Sequence, residues 1–161
     1  MKRFLIVFAA VANLVLADAV VKELAAAYLK GAAAVSVIPG LFNLAYVENC
    51  GCAWGMFQGR VWPLAAFAVV AFAFLVWKRR AVFYDGASAP WVGVVAECLL
   101  YAGIIGNLID RVFRGYVIDM FDFHWKTSHF PCFNIADSCI TLAVGLMLWS
   151  SFFKKGKSAN V

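Results

Sequence analysis

Four apolar stretches frame any fold this chain can adopt. They cover residues 4–22, 61–77, 91–111 and 135–153. A helix of about 19 residues rising about 1.5 Å per residue reaches about 28 Å, enough for the hydrocarbon core of a bilayer. The second stretch, at about 17 residues, sits at the lower limit for a span. Hydrophobic residues make up 65% of the chain, against about 45–50% in ordinary soluble domains. Charged residues make up only 14%, and the mean hydropathy is +0.84. The length of 161 residues fits one domain, residues 1–161. The expected fold class is therefore an all-α membrane protein with four transmembrane helices. The start, Lys2-Arg3 before an apolar run, also resembles a secretory signal peptide, with Ala17-Asp18-Ala19 as a cleavage-like site. The length of the run favours a retained helix.

Basic residues orient the spans. Lys2-Arg3, Lys78-Arg79-Arg80 and Lys154-Lys155-Lys157 fall on one side of a four-span arrangement. The positive-inside rule puts both termini and the loop after residue 78 in the cytoplasm. Segments 23–60 and 112–134 become outer loops. The formal charge of +5 comes from bases beside apolar runs, so nucleic acid is not an expected partner. Asp85-Gly86 marks a turn in the polar inner loop. Residues 30–60, punctuated by Gly31, Pro39, Gly40, Gly51, Gly55 and Gly59, read as a short sheet or an irregular loop.

With this orientation the polar residues gather at one end. Asp18, Lys22, Asn49, Asn107, Asp110, Arg111, Asp119, Asn134 and Asp137 all lie near outer helix ends or in outer loops. Asp18 and Lys22 share a helix face at i and i+4, as an end-of-helix ion pair or a functional one. Asn107, Asp110 and Arg111 form one patch, and Asn134 and Asp137 stand at i and i+3. The chemistry that suits such a set is a pair of carboxylates, Asp119 and Asp137. Held close, two carboxylates cannot both ionise easily, so the pair keeps a proton near neutral pH. One member takes a proton from water while the other polarises the carbonyl under attack. The bland alternatives are a helix cap for Asp137 and a solvated loop position for Asp119.

Other chemistries have less to stand on. Cys50 and Cys52 in one outer loop and Cys132 in the other suggest a membrane thiol oxidoreductase, but five cysteines do not pair fully and the Asp, Asn and Arg set is left unexplained. Asp122, His124, His129 and Cys132 are possible ligands, yet their spacing matches no tight zinc pattern, so no metal and no cofactor is expected. A Ser/Lys peptidase would need Ser36 or Ser128 beside Lys22 or Lys30, which sequence does not set. A purely structural four-helix protein does not explain the clustering. Glu97, inside the third span, finds no role at this level beyond a bond to another helix.

Five blocks, in order, carry a resemblance: Asp18-Ala-Val-Val-Lys22; Asn43 with Asn49-Cys-Gly51-Cys-Ala53-Trp54; Gly103-Ile-Ile-Gly106-Asn107-Leu-Ile-Asp110-Arg111; Val117-Ile118-Asp119; and Phe133-Asn134-Ile-Ala136-Asp137. Across nearly its full length the chain resembles the lipoprotein signal peptidases (signal peptidase II). The resemblance implies an intramembrane aspartyl endopeptidase of the bacterial inner membrane, active at the outer face. It would remove the signal peptide from diacylglyceryl-modified prolipoproteins by cutting before the lipidated cysteine. Asp119 and Asp137 match the catalytic pair. Asn49, Gly51, Asn107, Asp110, Arg111 and Asn134 match residues that line the site or bind substrate, and Asp18 and Lys22 match a supporting pair. The implied fold adds a small extracytoplasmic β-cradle and a short surface helix, both placed around residues 36–58. The implied partners are prolipoproteins, membrane lipids and globomycin-type inhibitors, with the enzyme a monomer. Ala102-Gly103-Ile104, Cys52 and Trp54 depart from the usual pattern without removing a catalytic group. The segment between the two aspartates reads as a flexible aromatic loop that closes over substrate.

Overall fold

The computed structural model describes residues 2–85 and 87–158. Gly86 of the expected turn lies outside the described residues, as do the side chains of Lys154, Lys155 and Lys157. Five helices and four short strands follow the chain as α1 (Lys2–Leu29), β1 (Val35–Ile38), β2 (Phe42–Asn49), α2 (Val61–Trp77), α3 (Arg79–Phe83), α4 (Pro90–Phe113), β3 (Val117–Trp125), β4 (Ser128–His129) and α5 (Ile135–Ser158).

The first helix is longer than expected. It runs on through Glu23-Leu-Ala-Ala-Ala-Tyr-Leu29, a strong helix-forming sequence, before Gly31 takes a left-handed φ of 79° and ends it. Asp18 and Lys22 therefore sit inside the helix rather than at its end. Arg3–Leu29, Pro90–Phe113 and Ile135–Phe153 are long and apolar enough to cross a membrane, while Val61–Trp77 is a shorter apolar helix of 17 residues. By length and composition these helices suit a membrane. Large apolar side chains such as Phe8, Phe67, Trp77 and Phe152 are exposed on the helices.

Helix α4 is the one the others pack on. It contacts α1, α2, α3 and α5, most extensively α5. One apolar cluster joins Val7, Phe83, Ala96, Leu100, Tyr101 and Ala143 near the start of α4. A second joins Ala25 of α1 to Ile118 and Met120 of β3 at the opposite end.

The sheet has the order β1-β2-β3-β4. Its β2–β3 register pairs Val47 with Asp119 and Asn43 with Asp122, across a bulge between Leu44 and Val47. Only half of this cradle comes from residues 36–58. The other half comes from 117–129, a segment expected to be loop. Residues 117–120 are buried on both faces, so no polar alternation betrays the strand. The segment between the aspartates is thus largely a hairpin, tied down further where Phe133 bridges Phe121. Among the described residues, 36–58 holds no α-helix, only a 3-10 turn at Ala53–Gly55. Left-handed φ values at Trp54, Gly55 and Phe57 stop a helix there.

Between α2 and α4 a short helix, α3, stands where a loop was expected. Phe83 of α3 is buried, and Glu97 is explained. Its carboxylate is bound by Arg79, with Nη2 at 2.9 Å, and accepts the hydroxyl of Tyr84. Arg3 stacks on the same tyrosine ring at 3.9 Å.

Candidate active site

Lys22 is the centre of the polar cluster, with 1% exposure. An ammonium has three N–H donors, and each finds an acceptor. They are Asp18 Oδ2 at 2.8 Å, Asp110 Oδ2 at 2.9 Å and Asn107 Oδ1 at 3.1 Å. Burying such a charge is tolerable only with this degree of pairing. The other oxygen of Asp18 accepts the N–H of Ala136 at 2.9 Å, so helix α1 satisfies a free donor in the first turn of α5. Asp110 is consumed internally: besides Lys22 it accepts Arg114 Nε at 3.0 Å and the Ile118 N–H at 3.2 Å. Arg114 also binds Glu23. Sequence reasoning missed Arg114 and Glu23, which look like ordinary surface charges until the fold joins them to Asp110.

Small residues let α4 and α5 meet at this level. A Cβ on Gly106 would lie 2.7 Å from Asp18 Oδ2 and 3.2 Å from the Ala136 Cβ. A Cβ on Gly103 would lie 2.5 Å from the Ala136 carbonyl oxygen. Both would force the helices apart.

From this base the amides reach the two aspartates. Asn107 accepts from Lys22 and donates from Nδ2 to Asp137 Oδ1 at 2.7 Å. Asn134 caps α5. Its Oδ1 accepts the Asp137 N–H at 2.9 Å, and its own N–H points to Asp137 Oδ2 at 3.4 Å, a capping box. The same Asn134 donates from Nδ2 to Asp119 Oδ1 at 2.8 Å. Hydrogen bonds from Met120 and Phe121 to the Phe133 carbonyl, at 3.0 and 2.9 Å, hold the start of α5 against β3 and make that reach possible. Asn49, at the end of β2, donates to Asp119 Oδ2 at 2.9 Å and accepts the Gly51 N–H at 2.9 Å. Arg111 closes the ring, donating to the Gly51 and Asn107 carbonyls at 3.1 and 3.3 Å.

All ten singled-out residues thus belong to one connected network. Asp119 and Asp137 are linked through one residue, Asn134. Burial, reinforced by the charge of Asp137, pushes the Asp119 carboxyl up to about 7 despite hydrogen bonds from Asn49 and Asn134. A carboxyl at that level exchanges a proton near neutral pH.

A cavity of about 560 Å³ opens beside this network. Asn49, Asn107, Arg111 and Asp137 form its polar end, and Val117, Ile140 and Leu142 contribute to its apolar side. Asp18, Lys22, Gly51, Asp110, Asp119 and Asn134 are not among its lining residues, and Asp119 reaches it through Asn49. Trp54 and Phe130, which follow β2 and β4, also line it and meet edge to face at 5.7 Å. Neither carried a signal beyond being an aromatic in an outer loop.

The competing chemistries find little support. All five cysteines are free, and burial pushes the Cys132 thiol up to about 12, far from a reactive thiolate. Lys22 is committed to Asp18, Asp110 and Asn107, and Lys30 to Glu48 at 2.9 Å.

A sequence profile of the Signal peptidase (SPase) II family matches residues 10–153. A lipoprotein signal peptidase of Symbiobacterium thermophilum is 39% identical over 133 residues, covering 83% of this chain and 85% of that protein. A lipoprotein signal peptidase of Shewanella sp. (strain MR-4) is 37% identical over 143 residues, covering 86% of this chain and 81% of its own. A bacterial membrane enzyme solved by the in meso method at 2.3 Å resolution superposes with a TM-score of 0.80 at 31% identity, covering 96% of this chain and 91% of that one.

Proposed function

The chain belongs to the signal peptidase II family, and we propose that Asp119 and Asp137 are the catalytic pair with which this aspartic protease removes signal peptides from prolipoproteins. The observation that carries the assignment is the convergence of Asn134 on both carboxylates, with Asp119 raised to about 7.

The pair holds one proton at neutral pH and titrates as a unit. The ionised member takes a proton from a water molecule as its oxygen attacks the scissile carbonyl carbon. The protonated member gives its proton to the carbonyl oxygen. Collapse of the tetrahedral intermediate breaks the C–N bond, and the proton taken from water passes to the leaving amine. Asn49, Asn107 and Arg111 line the cavity beside Asp137 and serve the substrate backbone, whose polar groups are costly to leave unpaired in an apolar setting. Gly51 fixes Asn49 and Arg111 through its backbone. Asp110, Asp18 and Lys22 position Asn107 and the start of α5, and Asn134 positions both aspartates.

The whole chain acts as one integral membrane domain, with α2 as a fourth span beside α1, α4 and α5. The active site faces outward and both termini face the cytoplasm. Arg3 and Arg79 meeting at Tyr84 support this orientation by gathering basic residues at the end remote from the aspartates. The substrate is a prolipoprotein carrying a diacylglyceryl group on the cysteine after the cut. The cavity reaches the exposed Leu142 on α5, so an apolar signal helix enters sideways and its lipid stays in the outer leaflet. Globomycin-type inhibitors occupy the same cavity, and the enzyme works as a monomer.

The test is cleavage of a lipidated and an unlipidated precursor by wild type, Asp119→Asn and Asp137→Asn. Wild type should cut only the lipidated precursor, before its cysteine. Each variant should lose at least about 100-fold in rate. Undiminished cleavage by either variant overturns the assignment.

A further inference from the structure

Both histidines of the chain stand on the hairpin β3–β4, apart from the carboxylate network. His124 pairs across the hairpin with His129, so the two imidazoles leave the same face of the sheet. Their rings stack with centroids 5.1 Å apart and 19° between planes. Asp122, two residues before His124, shares that face because strand side chains alternate. Its Oδ1 lies 2.7 Å from His129 Nδ1. Asn43, opposite Asp122 on β2, donates to Asp122 Oδ2 at 3.1 Å and lies 3.4 Å from His124 Nδ1. One ligand atom from each of Asp122, His124 and His129 falls within 4.8 Å of the others. The sequence spacing did not suggest this, because the three residues are brought together by strand pairing rather than by a helix or a knuckle.

We propose that Asp122, His124 and His129 bind a divalent transition-metal ion of the zinc class, which fastens the hairpin and with it one wall of the active-site cavity. Two imidazoles and one carboxylate are a borderline donor set, suited to zinc and its neighbours rather than to calcium or magnesium. A tetrahedral ion with bonds of about 2.0–2.1 Å holds neighbouring ligand atoms about 3.3 Å apart, so side-chain rotations of about 1 Å complete the site. Asn43 orients the carboxylate from outside, as second partners of metal ligands do. His129 is 54% exposed on its side chain, which leaves room for entry and for water in the remaining position.

The link to the cavity is direct. Strand β4 has only two residues; beyond it the Phe130 N–H donates to the Phe123 carbonyl at 2.8 Å, and the next backbone tie is at Phe133. Phe130, Pro131 and Cys132 follow His129 immediately and line the active-site cavity. They also line an adjoining hollow together with Asp122 and His129. An ion tying β3 to β4 therefore fixes the segment that substrate must pass.

Untagged full-length protein in detergent, stripped with a chelator, is titrated with Zn²⁺ against a chromophoric competitor. Wild type should take up one ion per chain. Asp122→Asn, His124→Ala and His129→Ala should each bind at least about 10-fold more weakly. Cys50→Ser/Cys52→Ser should bind like wild type, and so should Asp137→Asn, which separates this result from the proteolytic assignment. Zn²⁺ should slow amide hydrogen exchange across residues 123–132 in wild type but not in His124→Ala. Absence of stoichiometric binding, or unaltered binding by His124→Ala/His129→Ala, overturns the site. Stoichiometric binding without slower exchange overturns the fastening.

Discussion

Asn134 places two different demands on one amide. Its oxygen caps α5 while its Nδ2 holds Asp119. The cap on α5 and the link between the two carboxylates, set against each other by sequence as explanations of Asp137, share one local structure. Asp119 carries the sharper consequence for pH. Unfolded, it titrates near about 3.9; folded, burial and the neighbouring charge of Asp137 push it up to about 7. Between those values the native state holds a proton that the unfolded state has released. The contribution of this group to stability is therefore fully present below the lower value and is lost as pH rises through the upper one. Between about pH 5 and 8, wild type should lose more thermal stability than Asp119→Asn, measured in the same detergent. The kcat/KM of wild type should fall on the alkaline side as the shared proton leaves. Parallel melting curves for the two proteins over that range would refute the raised carboxyl. Composition alone did not single out Asp119 and Asp137 among the acids; the order of the motif blocks did, and the structure joins the two through Asn134. The Asp18–Lys22 pair was legible from its spacing. The bonds from Lys22 to Asp110 and from Asp18 to Ala136 were not, since they join residues far apart in the chain and depend on helix packing.

Helices were more legible than strands, for a physical reason. A span must be apolar along its whole length, and the starts of α4 and α5 fall close to the edges of their apolar runs. The extension of α1 beyond Lys22 was hidden because the apolar surface it packs on, Ile118 and Met120 of β3 against Ala25, is far away in sequence; strong helix formers carry it on to Gly31. Strand β3 was hidden for the opposite reason, burial on both faces. The element contact that most constrains the site is that of α4 with the first turns of α5. Gly106→Ala places a methyl against Asp18 and Ala136, with Asp18 Oδ2 only 2.7 Å away. Overpacking of this kind costs about 1–3 kcal/mol, and here it also shifts the N–H of Ala136 away from Asp18. Gly145, on the same α5, has open space around its position. Gly145→Ala should be neutral or stabilising by up to about 1 kcal/mol, because alanine is the better helix former. Unfolding followed by intrinsic fluorescence, with cleavage measured alongside, should separate the two variants in both stability and rate. Equal behaviour would remove the close approach as a determinant of the site.

On the scale of the whole molecule, the orientation of the spans decides which side of the membrane each loop meets. Helix α2 has 17 residues and reaches about 25 Å at about 1.5 Å per residue. That is short of a core of about 30 Å, but local thinning of the bilayer accommodates such a mismatch at modest cost. The pairing of β2 with β3 and the bond from Arg3 to the Pro90 carbonyl make α1 and α4 run the same way, so if both cross, α2 crosses back between them. With the basic ends inside, Ala81 on α3 lies in the cytoplasm and Thr127 at the hairpin turn lies outside; with the orientation reversed, Ala81 lies outside and Thr127 inside. Both residues are exposed, so each can report by labelling. In a background with the five native cysteines replaced, Thr127→Cys should react with a membrane-impermeant maleimide on intact spheroplasts. Ala81→Cys should react only after lysis. The inverted pattern would reverse the orientation and move the aspartates to the cytoplasmic face, where a signal peptide already carried across the membrane would not present its cleavage site.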